Sequence, residues 1–314
     1  MKPLRFLVGW ITIGVVAAYG HGPSNEKLKA LASDVCLMPY GQTIGASDIP
    51  KKLRFENWLA KLPDHEPLSW ISIPGTHDCG TALGATGDTR CQSLTIPAQL
   101  VMGVRAFDLR LRLVKNVLGV YHHQESQKLS FQAVASSFHN FLAAHPHEFL
   151  VVRVRKEWDS QNSTTEFEDA FTNEVGSAGL AKMIYHANSR TEIPNVSDVR
   201  GKVVLLDNYG KLPNAIEYAN PTMAIQDDYD TSDMENKYRE ITEAVNLARA
   251  AKDSNAWHIN YTSSSTPTVD QLANAQAVNP RVTAYLKGIH GHIGTIFMNF
   301  PGFSEIAEII GSNF

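Results

Sequence analysis

The stretch LSWISIPGTHDCGTAL, residues 68–83, decides how the rest of the chain is read. Its apolar run Trp70–Ile73 has the character of a buried strand. Pro74 and Gly75 break that run, and a turn then delivers His77 and Asp78. A histidine at the end of a core strand is held in place yet stays reachable, which suits a general base with a pKa near neutrality. A lone histidine of this kind is most simply a turn residue bonded to a carbonyl. Here it is followed by a second polar cluster at Asp108 and Arg110 and a third at His122 and His123.

Downstream of residue 68 the pattern alternates. Strand-like runs at Val104–Leu113, Val117–Tyr121, Phe149–Val154, Val203–Leu206, Met223–Ile225, Trp257–Ile259 and Thr295–Phe297 are separated by helical patterns. The clearest helix is Phe131–Ala144, with apolar residues at helical spacing and Pro146 as a stop. Phe167–Val175, Asp233–Ala251, Val269–Leu286 and Ser304–Ile310 complete the set. Repeated β–α alternation predicts a parallel sheet covered by helices. About eight strands over roughly 250 residues fits a single-domain α/β barrel of the TIM type; a doubly wound open sheet is the alternative. The apolar runs end in His77-Asp78, His122-His123, Arg155-Lys156-Glu157, Asp207-Asn208, Asp227-Asp228, Asn260 and Asn299. A barrel brings such strand ends to one mouth, which favours the barrel.

The N-terminus reads differently. Lys2 and Arg5 precede the apolar run Phe6–Ala18, followed by Ala18-Tyr19-Gly20, the pattern of a cleaved secretory signal over residues 1–20. The run is shorter than the roughly 20 residues of a membrane span, and no later segment approaches that length. Residues 21–60 form an extension expected to pack on the barrel of residues 61–314. The 314 residues are 43% hydrophobic, 19% charged and 9% aromatic with a net charge of −4, an ordinary globular balance. Without a basic excess or a Lys/Arg run, nucleic acid is not an expected partner.

Secretion would let the three cysteines, Cys36, Cys79 and Cys91, oxidise. A loop-closing Cys79–Cys91 bridge fits the spacing, with Cys36 an open alternative partner. No CxxC or HxxxH spacing is present, so no metal site is expected. Sequons at Asn162, Asn195 and Asn260 are candidate N-glycosylation sites; Asn260 follows a strand-like run, which argues for burial.

Along Arg105-Ala-Phe-Asp-Leu-Arg-Leu-Arg112, alternation puts Asp108, Arg110 and Arg112 on one face. A barrel-interior salt bridge is one reading of these residues. With histidines nearby, the set also fits metal-free phosphodiester cleavage. One histidine accepts a proton from an attacking hydroxyl, another protonates the leaving oxygen, and the guanidinium stabilises charge on phosphorus oxygens.

The blocks SIPGTHDCGT, RAFDLRLRL, VYHHQ, VVRVRKEW, GKVVLLDNY, AIQDDY, HINYTSS and GTIFMNFPG, over residues 68–303, resemble the X-domain of the metal-independent, bacterial and secreted fungal type of phosphatidylinositol-specific phospholipase C. The resemblance implies a distorted TIM barrel, no cofactor, and cleavage of phosphatidylinositol to diacylglycerol and inositol 1,2-cyclic phosphate. It assigns the base to His77 and the acid to His123, with Asp78 in support. Asp108 and Arg110 match the aspartate and arginine of the following strand, and Arg110 stands where calcium-dependent relatives carry a metal ligand. Lys156, Asp227 and Tyr229 match positions that hold the inositol ring. Two positions depart. Asn299 replaces an aspartate that orients the first histidine, and Asn208 replaces an inositol-binding arginine. These departures keep two alternatives open: a catalytically silent headgroup-binding barrel, or a phosphodiesterase acting on another phosphodiester. The implied partner is an inositol lipid at a membrane surface, met peripherally by a secreted monomer.

Overall fold

The structure is a computed structural model that describes residues 43–84, 89–251 and 256–314. The expected signal segment, residues 21–42 of the extension, and Cys36 lie outside the described residues. The ten strands are β1 Ile73–Thr76, β2 Ala106–Val114, β3 Val117–His122, β4 Glu125–Ser130, β5 Leu150–Lys156, β6 Val203–Asp207, β7 Ile216–Glu217, β8 Met223–Gln226, β9 Trp257–Tyr261 and β10 Thr295–Met298. The α-helices are α1 Ile96–Met102, α2 Phe131–Ala144, α3 Phe167–Ser177, α4 Val196–Val199, α5 Met234–Ala250, α6 Gln271–Leu286 and α7 Phe303–Gly311.

Eight strands run parallel in the order β7-β6-β5-β2-β1-β10-β9-β8. The sheet curls into a distorted, open barrel, because β7 and β8, at its two ends, do not pair with each other among the described residues. β7 has only two residues, too few for a second ladder. An antiparallel excursion, β3 and β4, extends from β2 through a two-residue turn. Lys115 and Asn116 both have positive φ there, the geometry of tight hairpins.

The first strand lies later than its apolar residues suggest. Leu68–Trp70 is a 3-10 turn, and β1 contains Pro74 and Gly75. Parallel pairing overrides the local breakers. The Pro74 carbonyl accepts from Arg105 N, and Gly75 lies so close to β10 that a Cβ would come within 2.8 Å of the Phe297 ring. That approach sets the packing of the central strands. Helix α2 has its expected bounds, with Ser130 as N-cap; Asp233 and Asp270 cap α5 and α6. Helix α1, capped by Thr95 with proline in its first turn and Gly103 at its end, escaped the periodicity because it is only seven residues long.

Residues 43–60 pack on the barrel through Ile44, Ile49, Leu53, Trp58 and Leu59, all buried, and Trp58 Nε1 donates to the Gly103 carbonyl at 2.9 Å. Two site expectations change. Cys79 and Cys91 are both free, buried thiols rather than a disulfide. Cys91 Sγ faces Asp78 Oδ2 at 3.8 Å, whereas Cys79 lines an apolar pocket with Ala82, Leu129 and Val134. Asn260 is 2% exposed and its amide donates to the Ile241 carbonyl at 3.0 Å, so it offers no acceptor for a glycan. Asn162 and Asn195 are exposed.

Candidate functional site

The C-terminal ends of β1, β2, β5 and β10 bring one cluster together. His77 follows β1, and its Nδ1 lies 2.8 Å from Asn299 Oδ1, which follows β10. Its Nε2 lies 2.6 Å from Arg110 Nη2. Because a guanidinium only donates, His77 Nε2 accepts from Arg110. Nδ1 then carries the proton and donates to Asn299. Asparagine can therefore fix the tautomer a base requires. Gln92 Nε2 donates to the carbonyls of His77 and Met298 at 2.7 and 2.9 Å, and Gln99 Nε2 donates to the Cys79 carbonyl at 2.7 Å. The polypeptide on both sides of His77 is thus tied down by two amides that local patterning did not single out.

Arg110 is the hub. Its Nε lies 2.9 Å from Asp78 Oδ1, Nη2 lies 3.3 Å from Asp108 Oδ2, and Nη1 lies 3.8 Å from Glu157 Oε1. Asp108 is shared with a second guanidinium: Arg153 Nη1 donates to its Oδ1 at 3.2 Å and to Tyr261 Oη at 3.0 Å. Strand register explains this, since Asp108 of β2 stands beside Arg153 of β5. Arg153 reaches Asn208 Oδ1 with Nε and Nη2 at 3.1 and 2.6 Å, and its guanidinium lies 4.3 Å from the Tyr218 ring centre. The sequence signal for Arg153 is a single charge inside the apolar run Leu150–Val154, which strand patterning alone does not mark as functional. Arg112 lies further out and donates from Nε to the Asp159 carbonyl at 3.0 Å.

The two carboxyls are pushed in opposite directions. Burial raises the Asp78 carboxyl to about 8, against the pull of Arg110. Burial would also raise Asp108, but Arg153 and Arg110 together hold it well below the usual carboxylate range. Burial and then Arg110 hold His77 well below its ordinary value, so its Nε2 is unprotonated at neutral pH. Neighbouring groups driven apart in this way divide acid and base roles between them.

The resemblance assigns the acid to His123; of the two neighbouring histidines, His122 is the one that faces Asp78. His122 is 2% exposed, with Nε2 3.3 Å from Asp78 Oδ2. His123 is exposed, has φ +53° and sits in the turn after β3. Its backbone N–H donates to Glu157 Oε1 at 2.9 Å. Consecutive residues leaving a strand point to opposite sides, so only one of the pair can face Asp78. Burial, then Arg110 and His123, lower His122 to about 3. Asp78, His123 and Phe300 all adopt positive φ at the mouth, strained conformations of the kind that gather at functional sites.

The ring-binding candidates are less tightly gathered. Asp227 is raised by burial and feels Arg153 next. Lys156 Nζ lies 5.6 Å from the Tyr209 ring centre, and Tyr229 is 37% exposed. Asp207 serves the fold: its carboxylate accepts from the N–H groups of Tyr209, Gly210 and Leu212.

No family model matches the chain. Two curated relatives are each 28% identical to it. One, from Listeria monocytogenes, matches over 290 residues, 84% of this chain and 87% of its own; the other, from Staphylococcus aureus, matches over 304 residues, 82% and 94%. Each is a 1-phosphatidylinositol phosphodiesterase. The solved phosphatidylinositol-specific phospholipase C from Listeria monocytogenes superposes with a TM-score of 0.70 at 26% identity, covering 83% of this chain and 99% of that one. The chain is therefore a distant homologue of the bacterial phosphatidylinositol-specific phospholipases C.

Proposed function

We propose that this homologue of the bacterial phosphatidylinositol-specific phospholipases C is itself a secreted phosphatidylinositol phosphodiesterase. It cleaves its lipid to diacylglycerol and inositol 1,2-cyclic phosphate. The observation that carries the reading is the His77–Arg110–Asp78–His122 constellation at the mouth of a barrel shared with those enzymes.

His77 Nε2 takes the proton of the inositol 2-hydroxyl, whose oxygen then bonds to phosphorus. The phosphodiester anion takes a place beside the guanidinium of Arg110, which carries its charge through the transition state. The bond to the diacylglycerol oxygen breaks, and that oxygen takes a proton from the Asp78–His122 pair. Asp78, raised to about 8, keeps that pair protonated at neutral pH. The acid is thus assigned to His122 working with Asp78. The inositol ring is assigned to Lys156, Asn208, Asp227 and Tyr229, with Arg153 beside Asn208. No helix among the described residues is long and apolar enough to cross a membrane. Leu83, Trp158 and Tyr229 follow the C-terminal ends of β1, β5 and β8 and are 50%, 44% and 37% exposed, an apolar fringe suited to peripheral contact with a lipid surface.

The decisive experiment follows phosphatidylinositol vesicles by phosphorus-31 NMR, with chelator present, for the unaltered chain, His122→Ala and His123→Ala. The reading expects a cyclic phosphate, a loss of about 100- to 10,000-fold in His122→Ala, and little change in His123→Ala. Loss in His123→Ala alone would return the acid to His123. Vesicle binding without turnover would favour the silent headgroup-binding barrel, to which Asn299 points.

A further inference from the structure

We propose that the mouth of the barrel is also a soft-metal site. His77, Asp78 and Cys91 are its ligands, and a zinc-class divalent ion bound there shuts the active site. The inhibitory consequence rests on the activity reading above; the site itself does not.

His77 Nε2, a carboxylate oxygen of Asp78 and Cys91 Sγ all lie within 4.8 Å of one another. Two of the separations are shorter: 3.6 Å from His77 Nε2 to Asp78 Oδ2, and 3.8 Å from Cys91 Sγ to the same oxygen. Ligand atoms around tetrahedral zinc stand about 3.3–3.6 Å apart, given bonds near 2.0 Å to nitrogen or oxygen and 2.3 Å to sulfur. The two separations to Asp78 therefore need a contraction of a few tenths of an ångström, and the one between His77 and Cys91, within 4.8 Å, is closed by side-chain rotation. His122 Nε2 lies 3.3 Å from Asp78 Oδ2 but stands outside the three-donor group, so water completes the coordination. One thiol, one carboxylate and one imidazole form a set with nitrogen and sulfur donors. It suits zinc, cobalt or cadmium and not calcium or magnesium.

The tautomer also fits. Asn299 holds His77 Nδ1 and so aims Nε2 at the cluster, as outer partners orient ligating imidazoles. The cation place is filled by Arg110, 2.6 Å from His77 and 2.9 Å from Asp78. That guanidinium already faces Asp108 and Glu157 at 3.3 and 3.8 Å, which keep it paired when a metal takes the other two. Binding replaces the Cys91 S–H bond with a sulfur–metal bond and the Asp78 carboxyl O–H bond with an oxygen–metal bond, and both protons go to water. It also occupies the nitrogen that acts as base. Local spacing could not reveal the site, because Cys91 arrives from the far end of the loop that His77 begins.

The test titrates the purified full chain with cobalt(II) chloride and reads the thiolate-to-cobalt charge-transfer absorption. The same samples are assayed on phosphatidylinositol vesicles with zinc sulfate and then with chelator. The expected result is one cobalt per chain, a band absent in Cys91→Ser, and at least tenfold inhibition by zinc that chelator reverses. No band, or a band unchanged in Cys91→Ser, overturns the site. If Cys91→Ser fails to fold, zinc-edge X-ray absorption of the unaltered protein decides: one sulfur neighbour supports the site, and nitrogen and oxygen alone overturn it. A Cys91-dependent band in a protein without turnover upholds the site and defeats the activity reading. Turnover without a band does the reverse.

Discussion

Two buried arginines stand along β2, one just before it and one at its middle. Arg105, just before the strand, is fully satisfied. Nε donates to Glu148 at 2.8 Å, Nη1 to the carbonyls of Leu100 and Val104, and Nη2 to those of Phe55 and Glu56. Its guanidinium lies 4.5 Å from the Phe141 ring centre. Arg110, five residues on, is crowded by Asp78, Asp108, Glu157 and His77 but poorly bonded. Arg110 Nε, Asp78 Oδ1, Glu157 Oε2, His122 Nδ1 and Asn299 Nδ2 are all buried without a well-aligned hydrogen bond. The first arginine has spent its hydrogen-bonding capacity on the fold. The other keeps it for something that is not protein. Unsatisfied buried polar atoms are costly, and their concentration at one mouth marks where a ligand would compensate.

The comparison is broken first at the satisfied arginine. Arg105→Ala strands the Glu148 carboxylate and four backbone carbonyls, and should cost about 3–5 kcal/mol of stability by chemical denaturation. A smaller cost than that of Arg110→Ala would erase the contrast. Arg110→Ala should lower turnover by about 100- to 1,000-fold, the scale for losing one transition-state donor, while changing stability far less than Arg105→Ala.

Asp78→Asn sharpens the contrast through pH. The folded carboxyl titrates at about 8, against 3.8 for the free group. The folded state therefore holds a proton that the unfolded chain has released between those values. The stability this group contributes is full below about pH 4 and is lost as pH rises toward 8. Asp78→Asn should remove that slope, raising the thermal midpoint more at pH 8 than at pH 5, by about 2–4 °C for each kcal/mol recovered. An equal shift at both values would show that Asp78 is ionised in the fold.

Asn299→Asp should have the smallest effect. A full charge on His77 Nδ1–H would raise the pKa of the ring and move the acid limb of the pH–rate profile upward, with a gain in turnover of about tenfold or less. An unchanged limb would separate His77 from the base role.

Much of this was legible in the sequence, for identifiable reasons. Helix α2 declares itself through six apolar residues on one face, and β2 through the alternation that places Asp108 and Arg110 together. The strand around Pro74 and Gly75 was displaced because its neighbours, β10 and β2, supply the pairing that local propensity denies. The choice between His122 and His123 turns on where β3 ends and which face its alternation buries, with Leu118, Val120 and His122 inward, and two identical neighbouring side chains do not show which of them closes the strand. Cys91 looked like half of a disulfide because nothing nearby in the chain shows that its sulfur faces Asp78.

By itself, then, the sequence determined the α/β class, the parallel strands and the likeness to the phospholipases, and singled out His77, Asp78, Asp108, Arg110 and Asn299 as candidate site residues. Periodicity and strand-end chemistry are local properties, written into adjacent residues. Only the tertiary structure decided that the barrel stays open between β7 and β8, that His122 faces inward, that Arg153 joins the site and that both described cysteines stay reduced. Each of these depends on distances between residues far apart in the chain, and those distances exist only once the sheet has curled.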